Sequence, residues 1–160
     1  MAIHVGDKVP SATLKVPSAD GIKDVTTDEL FRGKKVVLFA VPGAFTPTCS
    51  AKHLPGFVQN ADAIRTKGVD TIVCLAVNDA FVMGAWGKDQ KVGDKVVMAA
   101  DGNGEFTRAL GLELDGSRFG MGSRAQRFAM VVQDGVVKAL HVEAPGKFEV
   151  SSAEAVLKGL

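Results

Sequence analysis

Apolar residues in this chain come in short unbroken runs rather than in strict alternation. Five of them, Val36–Val41, Thr71–Val77, Val96–Ala99, Phe128–Val132 and Val136–Val142, are rich in β-branched residues and read as strands. Continuous hydrophobicity requires cover on both faces, so the strands belong to a sheet sandwiched by helices. Gln133-Asp134-Gly135 between the last two runs reads as a hairpin turn, which makes that pair antiparallel. Between the other runs the apolar spacing is helical. Thr48–Lys67 carries Leu54, Phe57, Val58, Ala61 and Ile64 on one stripe, with a kink or break expected at Pro55-Gly56. Asn78-Asp79 caps a helix through Phe81, Val82 and Trp86, Asn103–Leu110 makes a short helix, and Ser151-Ser152 starts a last one ending near Leu160. With Ala12–Val16 in an N-terminal hairpin, the order predicts a mixed α/β sandwich in a single domain over residues 1–160.

Composition narrows the function more than the fold. Hydrophobic residues make up 46% of the 160 positions, enough to fill a core and to exclude wholesale disorder. Lys+Arg 19 against Asp+Glu 18 leaves a net charge of +1, without the basic footprint of a nucleic-acid binder. The start, Met1-Ala2-Ile3-His4-Val5-Gly6-Asp7-Lys8, lacks the basic and apolar segments of a signal peptide, and the longest apolar run, Val36–Phe45, is too short to span a membrane. The expectation is a cytoplasmic protein that partners neither nucleic acid nor membrane. Two cysteines make no disulfide framework and no zinc site by themselves, so reduced thiols are expected, with no metal or cofactor.

The chemistry concentrates where the first long strand ends, at Val41-Pro42-Gly43-Ala44-Phe45-Thr46-Pro47-Thr48-Cys49-Ser50. Thr46 is a good N-cap and Pro47 suits the first helical position. Counted from that cap, Cys49 falls in the first turn, where unpaired N–H groups and the positive end of the helix dipole favour thiolate over thiol. A cysteine set by chance at a helix start is usually a small buried hydrophobe, but the strand, loop, cap and proline around this one favour a working thiol.

Pro42-x-x-x-Thr46-x-x-Cys49 resembles the active-site pattern of the peroxiredoxins, and its surroundings look like their type II, peroxiredoxin-5-like branch. The likeness continues through Val5-Gly6-Asp7, His53-Leu54-Pro55-Gly56, Val77–Met83, Ala100–Gly104 and Arg127–Val132. It implies a thioredoxin-like fold with an N-terminal β-hairpin extension and a thiol peroxidase acting on hydrogen peroxide and organic hydroperoxides. By the same resemblance Cys49 is the peroxidatic nucleophile, passing through sulfenic acid. Thr46 offers its hydroxyl to sulfur and peroxide, Pro42 shields the thiolate, and Arg127, ahead of Phe128-x-Met130-Val131-Val132, supplies the cationic donor. Spacing alone does not choose Arg127 over Arg118 or Arg124; the family pattern does. His53, four residues after Cys49, invites a Cys/His dyad, but the family does not use it as a base, and surface or packing is the expected role. A homodimer is implied too, with Phe45, Phe81 and Arg118–Gly122 at the contact.

Cys74 lies inside the Thr71–Val77 run and has two readings. It is either a core thiol kept inert by burial or a resolving cysteine, the role assigned at a similar spacing in plant type II enzymes. The animal enzymes place a resolving cysteine near the C-terminus, where Phe148–Ser152 holds serines. The core reading is preferred, with the sulfenate resolved by an external thiol: glutathione or glutaredoxin first, thioredoxin second. Gly102-x-Gly104 has the outward form of a dinucleotide loop, but Thr107 stands where the third glycine belongs. There is no Cys-x-x-Cys. The alternative from another class is a non-enzymatic sensor that relays Cys49 oxidation to a partner protein.

Overall fold

The structure, a computed structural model, describes residues 2–160. A seven-stranded sheet runs in the order β2 (Gly21–Thr26), β1 (Thr13–Ser18), β5 (Val97–Ala100), β4 (Thr71–Ala76), β3 (Lys35–Ala40), β8 (Phe128–Gln133), β9 (Val136–Val142). In its interior β3 runs parallel to β4, the central strand, and antiparallel to β8. β5 (Val97–Ala100) lies parallel beyond β4, and β9 (Val136–Val142) closes the far edge against β8. The five runs are therefore the five core strands, and alternate residues of β3 feed two cores. Val37 and Phe39 pack with Phe57, Ile64, Trp86 and Val156 on one face. Val36 and Leu38 pack with Leu30, Phe31, Phe106 and Leu110 on the other. This is the mixed, helix-flanked thioredoxin-like arrangement expected of the sequence.

The β8–β9 hairpin turns on Asp134 and Gly135, at φ 49° and 79°, the pair of left-handed residues that a tight two-residue turn requires. At the other edge, β1 (Thr13–Ser18) and β2 (Gly21–Thr26) form the N-terminal hairpin, longer than expected, and β1 meets β5 through Lys15 and Ala100. Three elements went unread in the sequence. α1 (Thr27–Phe31) is announced by a capping box in which Thr26 and Glu29 satisfy each other's backbone N–H groups. A two-stranded ribbon, β6 (Glu113–Asp115) with β7 (Ser123–Ala125), brackets a single tight turn at Ser117–Phe119.

The long helical stripe is divided differently from expectation. Helix runs through Pro55-Gly56 in α2 (Leu54–Gln59) and breaks instead at Asn60, before α3 (Ala61–Thr66). The distortion that Pro55 imposes falls on the turn before it, Cys49–His53, which widens so that the Leu54 N–H reaches five residues back to the Cys49 carbonyl. Proline has no N–H for the carbonyl four residues earlier and crowds it, and a widened turn relieves both problems. The remaining helices are α4 (Ala80–Asp89), α5 (Glu105–Leu110) and α6 (Ala153–Lys158). Asp79 caps α4 by accepting from the Val82 N–H at 2.8 Å, and Ser152 caps α6 from Ala155 at 3.1 Å. Among the described residues no helix is long and apolar enough to cross a membrane.

Candidate active site

Strand register assembles the site. Ala40, the last residue of β3, pairs with Phe128, the first of β8, so Arg127 lies beside the chain as it leaves the sheet toward Pro42. The connecting loop is pinned on two sides. The Ala44 N–H donates to Asn78 Oδ1 at 2.9 Å, and Gly43 packs so closely on Thr46 and Met121 that a Cβ there would come within 3.2 Å of each. Phe45 pays for the tight path with a left-handed backbone at φ 63°, a cost of about 1–3 kcal/mol for a non-glycine residue.

Helix begins at Pro47, and Cys49 follows at the start of the widened turn, fully buried. Arg127 Nη2 donates to Cys49 Sγ at 3.1 Å. The other two arginines near in sequence are placed differently. Arg124 is tied to the Met121 and Val77 carbonyls at 2.8 and 3.0 Å, and Arg118 is exposed. Thr46 departs from the role expected of its side chain. Its hydroxyl donates to the Gly43 carbonyl at 2.7 Å, where a cap accepting from the helix was expected. Its backbone carbonyl still accepts the Ser50 N–H at 2.9 Å. Pro42, Thr48 and Arg127 line one cavity of about 360 Å³, whose far wall is the Glu143–Phe148 segment.

His53 is not a surface residue. It is fully buried, its ring 4.9 Å from those of Phe39 and Phe148 and 5.6 Å from that of Phe57. Nε2 meets the Ser151 carbonyl at 2.9 Å and Nδ1 meets Arg127 Nη1 at 2.8 Å. The spacing from Cys49 put both residues on one helix; only tertiary structure adds the aromatic cage and the arginine. Burial first, and Arg127 second, lower the pKa of His53 to about 3, against smaller opposing effects of the Ser151 carbonyl and Glu143. Glu143 itself is buried beside β9. Burial would push its carboxyl up, but the Ser151 hydroxyl and the N–H groups of Glu149, Ser151 and Val150 outweigh that and hold it below its ordinary value.

Cys74 sits mid-strand in β4, paired with Phe39 and Met98, on the same core face as Cys49. Both cysteines are free thiols. Burial pushes the Cys74 thiol well up, and Cys49 adds to the shift. Among the described residues no group of three or more His, Cys, Asp or Glu side chains could hold a metal ion.

The Redoxin family profile matches residues 4–157. The chain is 55% identical to peroxiredoxin-2E, chloroplastic, of Arabidopsis thaliana, over 99% of its own length and 70% of that protein's. It is 50% identical to peroxiredoxin-2B of the same plant, over 99% and 98%. Reduced Prx3 from Vibrio vulnificus, solved in complex with H2O2, superposes with a TM-score of 0.95 at 54% identity, covering 98% of each chain.

The chain belongs to the peroxiredoxin family. It is accordingly a thiol-dependent peroxidase. In this peroxiredoxin Arg127 reaches the Cys49 sulfur and lines one cavity with Pro42, Thr46 binds Gly43 in the loop between Pro42 and Cys49, and Cys74 lies in β4 paired with Phe39.

The His53 shift makes acid stability measurable. An unfolded His53 takes a proton near pH 6.5, whereas the folded one refuses it down to about 3. Within that window the unfolded state binds more protons, so stability falls as pH falls, by about 1.4 kcal/mol per unit for this one group. Glu143, depressed in the fold, adds to the loss on further acidification. Urea midpoints between pH 7 and pH 4 are expected to decline for the wild type and to decline less steeply, by one proton, for His53→Asn. Equal slopes would remove His53 as the cause.

Proposed function

We propose that Cys49 is the peroxidatic nucleophile, reducing hydrogen peroxide and organic hydroperoxides to water or alcohols. The observation that carries this is the 3.1 Å contact between the buried Cys49 sulfur and Nη2 of Arg127, a residue that lines a cavity together with Pro42 and Thr48. The thiolate attacks one peroxide oxygen, the O–O bond breaks, and the other oxygen leaves as hydroxide or alkoxide and takes a proton. Sulfur loses two electrons and becomes sulfenic acid. Arg127 stabilises the charge on the leaving oxygen. Thr46, its proton committed to Gly43, keeps lone pairs free to accept from the peroxide O–H. Pro42 walls the site without adding a competing N–H.

Regeneration by an external thiol follows from the poor alternatives inside the chain. Cys74 is buried in a strand with its thiol pushed up, and the Glu143–Ser152 segment contains no cysteine. Glutathione or glutaredoxin attacks the sulfenate, releasing water and forming a mixed disulfide that a second thiol resolves; thioredoxin is the second candidate. The proposed compartment is the cytoplasm, and the proposed unit of function is one domain over residues 1–160, supported by the family profile over residues 4–157. Following peroxide consumption with glutathione and glutaredoxin, and separately with thioredoxin, tests the reading. Turnover is expected with the first pair. Turnover with neither would point to the sensor that relays Cys49 oxidation to a partner.

We also propose a homodimer. Phe45, Phe81 and Phe119 are 52, 77 and 79% exposed, a costly display of aromatic surface in water. They stand on segments that meet at the active-site loop, since Ala44 binds Asn78 and Gly43 packs on Met121. The Arg118–Gly122 segment would complete the contact. Light scattering at micromolar concentration should give twice the mass of the chain, and Phe119→Glu should return it to one. A wild-type monomer would end this proposal.

A further inference from the structure

The peroxide chemistry uses one terminal nitrogen of Arg127, and the structure holds the other. Nη2 points at Cys49 Sγ at 3.1 Å while Nη1 rests on His53 Nδ1 at 2.8 Å. The guanidinium is a planar fork, so fixing one prong fixes the direction of the second. His53 can do this because its own ring is fixed. Nε2 faces the Ser151 carbonyl, which can only accept, so Nε2 carries the proton and Nδ1 presents a bare lone pair to the arginine. The Ser151 carbonyl is immobilised in turn, because the N–H and hydroxyl of that residue both bind the Glu143 carboxylate, at 2.8 and 2.6 Å. The Phe148 ring lies 5.8 Å from the guanidinium carbon and 4.9 Å from the His53 ring, covering the pair.

We infer that His53 is the positioning residue for Arg127, a neutral acceptor that aims the guanidinium at the Cys49 sulfur and at the peroxide oxygens beside it. It touches neither reactant and acts only through Arg127. Neutrality is the point of using an imidazole there. A carboxylate in its place would orient the arginine equally well, but it would set a second negative charge beside the thiolate and offset the field that stabilises the leaving oxygen. The pKa of about 3 keeps the ring neutral throughout the working range of a thiolate. Glu143, whose charge also acts on His53, turns its carboxylate to the Glu149–Ser151 backbone.

The inference rests on the roles proposed above for Cys49 and Arg127, and two substitutions separate it from simple packing. In His53→Asn the carboxamide oxygen can replace Nδ1 as the acceptor for Arg127 while the tie to Ser151 is lost. In His53→Gln the carboxamide nitrogen can replace Nε2 as donor to Ser151, and the acceptor for Arg127 is lost. The second-order rate of peroxide reaction should fall by about 10–100-fold in His53→Gln, as expected when a reacting group is misplaced by an ångström. His53→Asn should recover most of that loss. In an Arg127→Gln background, itself about 10²–10³-fold slow, His53→Gln should cost little more, because the residue it aims is gone. Thermal melts of each variant confirm that rates are read on folded protein. Equal rates for the Asn and Gln variants, or a full His53→Gln loss persisting beside Arg127→Gln, would overturn the inference. An Arg127→Gln rate equal to wild type would instead overturn the reading of Arg127 beneath it.

Discussion

Cys49→Ser is expected to end peroxide turnover, and Cys74→Ser to leave it running. A serine hydroxyl cannot be oxidised to the equivalent of a sulfenic acid, and with no thiolate the site holds an arginine and a cavity but nothing to attack the O–O bond. Cys74 differs on three physical grounds. Its backbone is locked into parallel ladders on both sides, against β3 at Phe39 and β5 at Met98. Its thiol is pushed well up by burial, so little thiolate is present to attack a sulfenate. A disulfide to Cys49 needs the two Cα atoms within about 7 Å with matching Cβ directions, and the Cys49–His53 turn is held by the packing of His53 among Phe39, Phe57 and Phe148. The cost of Cys74→Ser should therefore appear in stability, about 1–3 kcal/mol for a hydroxyl buried where only a thiol was accommodated. Turnover with an external thiol and urea midpoints, measured on the same three proteins, separate the effects. Loss of turnover in both variants, with a Cys49–Cys74 disulfide in the oxidised wild type, would make Cys74 the resolving residue.

The sheet was legible because its strands are covered on both faces, and such strands leave unbroken apolar runs that need no partner to be recognised. Asp134-Gly135 was legible because few residue pairs accept two left-handed backbones in succession. The Thr26-x-x-Glu29 capping box was equally local, and reading it would have found α1. Cys49 could be placed from helix-start chemistry alone. Arg127 could not, since its nearness to the sulfur depends on β3 and β8 pairing across nearly ninety residues of chain, and only family resemblance singled it out. His53, read as surface or packing, is packed in the core, and its polar partners were hidden from the sequence for the same reason. Its helical spacing from Cys49 is written in the sequence, whereas its cage and its two hydrogen bonds come from β3, from the Glu143–Ser151 segment and from Arg127, none of them local. Thr46 shows the converse limit: a good capping residue by type, whose hydroxyl proton goes to the Gly43 carbonyl in a tight loop that the sequence does not reveal.

Arg127→Ala should slow the peroxide step by about 10²–10³-fold, the loss typical of removing one aimed donor from developing negative charge. The argument is electrostatic before it is geometric. Cys49 is fully buried, and a thiolate taken out of water needs a compensating charge; Arg127 is the cation whose donor reaches the sulfur. The same guanidinium meets the charge that moves onto the departing oxygen, so its removal weakens nucleophile and transition state together. Arg127→Lys should restore only part of the rate, since a single ammonium cannot reach Cys49 Sγ and His53 Nδ1 from one fixed plane. Stability should fall by about 1–3 kcal/mol, because His53 Nδ1 would lose its donor inside a closed aromatic cage. The variant should still fold, as the β3–β8 ladder does not depend on the Arg127 side chain. Trp86 gives the readout. It is the single tryptophan, buried, with its ring N–H on Ser50 Oγ at 3.0 Å, one residue from the reacting sulfur. Stopped-flow fluorescence on mixing with peroxide should resolve a second-order phase that slows in Arg127→Ala and vanishes in Cys49→Ser. A phase within twofold of wild type in Arg127→Ala would transfer the cationic role to another residue. Arg124 would then have to release the Val77 and Met121 carbonyls to reach the sulfur, and Arg118 would have to swing in from solvent. Either movement costs hydrogen bonds or ordering that Arg127, already in place, does not have to supply.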